Sequence, residues 1–249
     1  MSYTAYEMIR DCRQNRPEGW RYFIRNYVPV IRKLLVHYAS DDAGSIERIA
    51  ADRNLFSALE PVAERPFVAE LRQRVLRELP ASSNLSLDEV AAALAPMTLL
   101  EKQATWIETM RYSAVETGAM LRMSSVTVDK VRARGAELLR GHLSSWSDTM
   151  LADAGVALGR EAAAAPTKDC LPSKVFLDVL DGRTTWRVRE EMDSHVASCW
   201  HCIDDFCRMV EVIELLRGIQ PLTEEEAALY LRRLGIEEKR KGWRAVLRG

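Results

Sequence analysis

Residues 195–202 read His195-Val-Ala-Ser-Cys199-Trp-His-Cys202, a stretch predicted to be helical. At about 100° of rotation per residue, Cys199 falls roughly 40° from His195 and Cys202 roughly 20° to the other side. Three metal-ligating groups therefore share one stripe. His201 and Cys207 fall about 120° off it, on opposite sides. Structural zinc takes four thiolate or imidazole ligands in a tetrahedron, so the motif asks for one more. Cys170 is the leading candidate, because a helical hairpin between it and His195 would bring it back; His201 and Cys207 remain the alternatives. Free cysteines are often no more than small buried apolar residues. Here a histidine joins a Cys-x-x-Cys at helical spacing, which favours a metal. Three cysteines within nine residues also suggest a redox-responsive cluster, with Cys207 as a resolving thiol.

Outward from this motif, almost every segment carries apolar residues at intervals of three and four, with little β-branched alternation. The chain is predicted to be all-α: two small helical domains, the second a helix-turn-helix, and a C-terminal zinc-binding helical domain. The first spans 1–80, with one stripe formed by Trp20, Phe23, Tyr27, Ile31 and Leu34 and another by Phe67, Leu71, Val75 and Leu79. Residues 80–86 read as a linker. The second domain spans 87–145. Residues 153–167, rich in alanine with two glycines and a proline, read as a second, partly helical linker. The third domain spans 168–220, with a turn at Asp181-Gly182-Arg183. Residues 221–249 form a C-terminal tail, basic and loosely held from Gly235 onward.

The second domain carries its own signal. Ser113 and Glu116 make a capping box for a helix ending near Leu121. Arg122-Met123-Ser124 is a tight turn, and Ser124 or Ser125 caps a helix running to about Arg140. Val128, Val131 and Leu138 face its core. Thr127, Lys130, Arg132 and Arg134 are left toward solvent, with Ser124 and Ser125 at the N-terminal end. Short hydroxyls, a helix N-terminus and long cations are what reading a major groove requires. Asp129 and Glu137 share that surface and would suit an ordinary solvated helix equally well. The first domain adds Arg10, Arg13, Arg16, Arg21, Arg25, Arg32 and Lys33 against few acids, and Arg72, Arg74 and Arg77 follow. Such a face suits phosphate or an acidic protein surface, or simply water.

Net charge is −1 over 249 residues, which excludes a uniformly basic nucleic-acid binder but not local basic patches. No apolar run is long enough to span a membrane, and the N-terminus lacks the pattern of a signal peptide. Five cysteines, an odd number with metal-like spacing, indicate the reducing cytoplasm. There is no phosphate-cradling glycine loop and no nucleophile motif. Four protein ligands would leave zinc no open position for a catalytic water, so the chain reads as a non-enzyme.

Taken together, the blocks resemble a bacterial RNA polymerase sigma factor of the extracytoplasmic-function type. Trp20-Arg-Tyr-Phe-Ile-Arg-Asn-Tyr-Val-Pro-Val-Ile-Arg-Lys-Leu-Leu is similar to the start of that family's first conserved domain. The stretch from Pro66 to Leu79 resembles the helix that closes it. Leu94-Ala-Pro-Met-Thr-Leu-Leu-Glu-Lys-Gln, together with residues 127–140, resembles the domain that reads the upstream promoter element. The resemblance implies Ser125, Thr127, Lys130, Arg132 and Arg134 as DNA-facing positions, and core RNA polymerase and promoter DNA as partners, with a regulatory protein in addition. Cys170, then Val175-Phe-Leu-Asp-Val-Leu-Asp-Gly, then His195-x3-Cys199-x2-Cys202 resembles a zinc-binding anti-sigma domain. That supports Cys170, His195, Cys199 and Cys202 as the Zn²⁺ ligands. One departure stands out. The family's acidic, Gln-containing polymerase-docking helix is replaced here by Ile46-Glu-Arg-Ile-Ala-Ala-Asp-Arg-Asn-Leu-Phe. This keeps a second reading in play, a sigma-like interaction protein that sequesters a partner without sequence-specific DNA binding.

Overall fold

Apolar periodicity of three and four becomes helix in every regular element. The computed structural model describes residues 3–38, 43–52, 54–57, 59–81 and 83–236. Among them all regular structure is helical, as the all-α expectation requires. None of these helices is long and apolar enough to cross a membrane.

The first block comprises α1 (Ala5–Arg13), α2 (Pro17–His37), α3 (Ala43–Ala51), α4 (Asn54–Ser57) and α5 (Glu64–Glu78). Pro17 sits at the first position of α2, where its missing N–H costs nothing. The stripe foreseen on α2 is its core. Phe23 meets Phe56 edge-on at 5.0 Å and Tyr27 meets Phe67 at 4.9 Å, geometries aromatic pairs favour.

The middle block comprises α6 (Leu87–Ala93), α7 (Leu99–Trp106), a 3-10 turn over Ile107–Met110, α8 (Ala114–Leu121) and α9 (Ser125–His142). Glutamates at the third helical position close capping boxes on α6, α7 and α8. Two short helices follow, α10 (Met150–Asp153) and α11 (Gly155–Ala164). The linker expected over 153–167 is therefore largely a packed helix. Its small residues have a steric role: a Cβ on Gly155 would lie 1.9 Å from the Thr109 carbonyl oxygen, an impossible contact. Arg160 of α11 donates to the carbonyls of Leu76 and Leu79 at the end of α5, capping that helix.

The last block comprises α12 (Ser173–Leu180), α13 (Trp186–Val196), α14 (Trp200–Leu216) and α15 (Glu224–Arg233). Helix α14 packs against α2, α5, α7, α8, α11, α12 and α13, and its apolar residues belong to one core continuous with those of the first two blocks. At this junction lies a buried polar network. The Arg72 guanidinium on α5 donates through Nε to Glu211 and through Nη2 to Tyr38 Oη at 3.0 Å. Tyr112 Oη donates to the other Glu211 oxygen at 3.1 Å. Trp106 Nε1 donates to Asp204 at 3.1 Å, and Arg208 donates to the same carboxylate at 2.9 Å. Arg72 and Glu211 are 1% and 0% exposed. Arg72 was expected on a basic surface; it is instead the most deeply buried cation among the described residues of the first block.

The C-terminal tail named over 221–249 opens with a packed helix. The Leu222 N–H donates to the Arg25 carbonyl at 2.8 Å, and α15 lies along α2 with Ala227 and Leu231 buried. Glu224 pairs with Arg25, Tyr230 Oη accepts from Arg32, and Arg233 pairs with Glu47. Part of the basic face of the first block is thus covered. The basic run at 237–249 lies outside the described residues.

Two outcomes follow. Arg72→Met leaves Glu211 buried without its counter-charge and should cost about 3–5 kcal/mol in urea unfolding, while Arg72→Met combined with Glu211→Leu should recover most of that loss. The second concerns acid. Thr98 hydrogen bonds, the backbone one first, hold Glu101 below the usual carboxylate range, and Ser113 does the same for Glu116. A lowered native pKa adds stability that is present above about pH 4.3 and lost as pH falls through the native value. Thermal melts between pH 6 and pH 2.5 should therefore show a shallower acid decline for Glu101→Gln than for the parent.

Candidate metal centre

The stripe read as one helix is broken in the middle, yet the ligands still meet. Helix α13 ends at Val196, with Ala197 as its C-cap, and α14 opens with Cys199 as its N-cap in extended conformation. His195 lies in the last turn of α13, and Cys202 lies in the first turn of α14. The Ser198 and Cys199 N–H groups both reach back to the His195 carbonyl, at 3.1 and 3.2 Å. Cys170 comes from the turn before α12. The Thr167 N–H donates to Cys170 Sγ at 3.1 Å, and the Cys170 N–H returns to the Thr167 carbonyl at 3.1 Å.

Four donor atoms converge. Cys170 Sγ lies 3.6 Å from Cys199 Sγ, and His195 Nε2 lies 3.2 Å from Cys202 Sγ. All four lie within 4.8 Å of one another and could hold a metal ion. A tetrahedron with metal–sulfur bonds of about 2.3 Å has edges of roughly 3.8 Å, so the set matches a four-coordinate ion in size. For Cys170, partial burial opposes ionisation. Hydrogen bonds from the Thr167 hydroxyl and N–H, with Cys199 and His195, outweigh it and bring the thiol down to about 6. Cys202 is pushed up to about 12 by burial first, with the neighbouring sulfurs adding to it. A cation would offset that penalty by charge compensation. The N-terminus of α14 also favours negative charge at Cys199 and Cys202.

The two alternative ligands point elsewhere. His201 Nδ1 is 2.8 Å from the Ala162 carbonyl of α11. Cys207 is fully buried, with its thiol toward the Gln103 carbonyl of α7 and its ionisation suppressed by that burial. It takes no part in the cluster, and its expected role as a resolving thiol has no support in this position. All five cysteines are free thiols.

The cluster is wired to the middle block. Lys102 of α7, almost wholly buried, donates Nζ to the Ala197 carbonyl at 2.7 Å, a cation on the C-terminus of α13. Trp200, next to Cys199, packs on Trp106 of α7 at 5.3 Å. Sequence reasoning missed Lys102, Trp106, Asp204 and Glu211. The sequence pattern pointed the other way: Asp204, Arg208 and Glu211, spaced at i, i+4 and i+7, form a polar stripe on α14 that reads as a solvated face, and only the packing of seven helices around α14 buries it.

The helix-turn-helix forms as expected, with Ser124 rather than Ser125 as the cap of α9 and its hydroxyl accepting from the Thr127 N–H at 3.1 Å. A Cβ on Gly118 would stand 2.6 Å from the Met123 carbonyl oxygen, so the turn requires glycine there. The five positions named for DNA divide. Thr127 and Lys130 are exposed and Ser125 is half-buried. Arg134 is exposed but pairs with Glu101 at 2.6 Å. Arg132 does not face solvent. It donates to the Tyr112 carbonyl at 3.0 Å and to Thr117 Oγ1 at 2.8 Å, tying α9 to α8.

Comparison with protein-family profiles, with curated proteins and with solved structures finds no match to this chain.

Cys199→Ser should abolish binding of one equivalent of metal per chain, as read by elemental analysis after gel filtration, while Cys207→Ser should retain it. Loss of metal by the Cys207 variant, or its retention by the Cys199 variant, would refute this ligand set.

Proposed function

We propose that the chain is a sigma-factor-like transcription regulator in which a structural Zn²⁺ organises the helix that locks its two other blocks together. Three thiolates and an imidazole are a donor set that suits zinc, and a full set of four leaves no open coordination position. The role of the ion is then architectural. It pins the 167–170 turn to the α13–α14 corner and so sets the direction in which α14 enters the core.

The observation that carries the reading is the outer face of α9. A serine-capped helix N-terminus stands beside exposed Thr127 and Lys130, the arrangement that admits a phosphate and a base edge. The remaining basic surface of the first block suits core polymerase or the DNA backbone. A specific feature favours the partner-sequestering alternative: Arg132 and Arg134 are both engaged within the chain, and Asp129 and Glu137 are exposed on α9.

The test uses the full chain with its metal bound. Selection from a random DNA pool should enrich one sequence class, and core polymerase supplemented with the chain should initiate on it. Lys130→Ala should weaken binding to the selected site by about 1 kcal/mol or more, while Arg132→Ala should lower the melting temperature instead. Absence of any enriched sequence, with core polymerase still retained in a pull-down, would establish the sequestering alternative.

A further inference from the structure

A cleft of about 390 Å³ opens where the three blocks meet, within the range of small-molecule sites of about 300–1,000 Å³. Its walls come from α5 of the first block, α7 and α8 of the middle block, and α12, α13 and α14 of the last. Its floor is apolar, built from Leu121, Phe206, Val210 and Ile213. Four arginines line it, Arg65, Arg122, Arg189 and Arg217, against two carboxylates, Asp181 and Glu214. Arg65 pairs with Asp181 and Arg217 with Glu214. Arg189 reaches Asp193 only at 3.8 Å. Arg122, held in the left-handed conformation at the end of α8, has no acidic partner among the described residues.

Gln103 lines the cleft as well. Its carboxamide makes no hydrogen bond to the described protein groups and is open to the cleft, so a ligand atom can bond it in place of water.

We propose that this cleft binds a small amphipathic anion. Its carboxylate or phosphate head would lie between Arg122 and Arg189, where charge-assisted hydrogen bonds form, and its apolar body would cover Phe206, Val210 and Ile213. The Gln103 amide supplies the remaining polar contact. Because the walls belong to all three blocks, the ligand binds only their assembled arrangement and stabilises it by mass action. The inference stands whether or not the chain binds DNA.

The probe is 8-anilinonaphthalene-1-sulfonate, an aromatic anion, added to the full chain with its metal bound. The expected result is saturable binding of one equivalent. Decanoate and decyl phosphate below their micellar concentrations should displace it; decyltrimethylammonium should not. Arg122→Glu and Arg189→Glu lie at exposed positions that leave the core intact, and each should weaken the probe by about tenfold. Ile213→Trp, which fills the floor, should abolish binding with far-ultraviolet circular dichroism and the melting temperature unchanged. Absence of saturable binding, equal displacement by the cationic surfactant, or arginine variants with parental affinity would overturn the proposal. Displacement by an acidic helical peptide but by neither alkyl anion would overturn it too, by assigning the cleft to a protein partner.

Discussion

The structure depends on one buried ion pair. Arg72 on α5 and Glu211 on α14 come from segments 139 residues apart, and each would be prohibitively costly in the core without the other. Burial alone would lower the arginine's pKa, but the Glu211 charge overrides it and keeps the guanidinium protonated. Tyr38 Oη accepts from Arg72 and Tyr112 Oη donates to Glu211, and both phenols are held neutral chiefly by burial. Arg72 lies on α5 and Tyr112 precedes α8, so a single carboxylate collects contacts from the first and middle blocks at once. An apolar replacement could match such a pair in stability. It could not demand one register, because greasy surfaces slide where a guanidinium and a carboxylate do not. The network therefore specifies how the blocks dock more than it strengthens the docking.

The metal cluster sits at the opposite end of the same helix and solves a related problem. Helix α14 must enter the core at its first turn, since Trp200, Cys202 and Ile203 are already buried there. Two short segments fix that entry, the corner at 197–199 and the turn at 167–170. Neither has a hydrophobic core of its own. An ion across Cys170, His195, Cys199 and Cys202 would replace the missing core with four bonds. Lys102 and Trp106 carry the constraint to α7, against which α9 packs so closely that Gly135 meets the Thr105 side chain. The metal loop, α7 and the helix-turn-helix are thus consecutive members of one contact chain.

Much of this was legible in the residues. The all-α class, the caps at Ser113 and Ser124, the α2 stripe and the grouping of His195, Cys199 and Cys202 follow from local rules of spacing and capping, whereas Cys170 rested on an expected hairpin and on the resemblance. What escaped depended on tertiary context. The corner at Ala197 was invisible because the 195–202 spacing satisfies a continuous helix and a broken one alike. The alanines and glycines of α11 looked like a linker because small residues signal flexibility in water and close approach in a core. Arg72 and Arg132 looked like surface cations because a long charged side chain carries no mark of its direction; only their buried acceptors, Glu211 and the Tyr112 carbonyl, decide it.

The attachments of the last block differ in kind. Helix α14 is held by buried, mutually dependent groups, so losing one partner strands another in a low dielectric. Helix α15 makes exposed pairs, Glu224 with Arg25 and Arg233 with Glu47, each worth about 0–1 kcal/mol and weakened by salt. Its apolar side carries more: Leu222, Ala227 and Leu231 are buried, and Tyr230, Leu234 and Ile236 pack against the same core. At about 1.5–3 kcal/mol for a fully buried large apolar side chain, these contacts and not the ion pairs hold α15 to α2. Salt therefore weakens the rim of that attachment and leaves its apolar seam, whereas separating the first and middle blocks requires exposing Arg72 and Glu211 together.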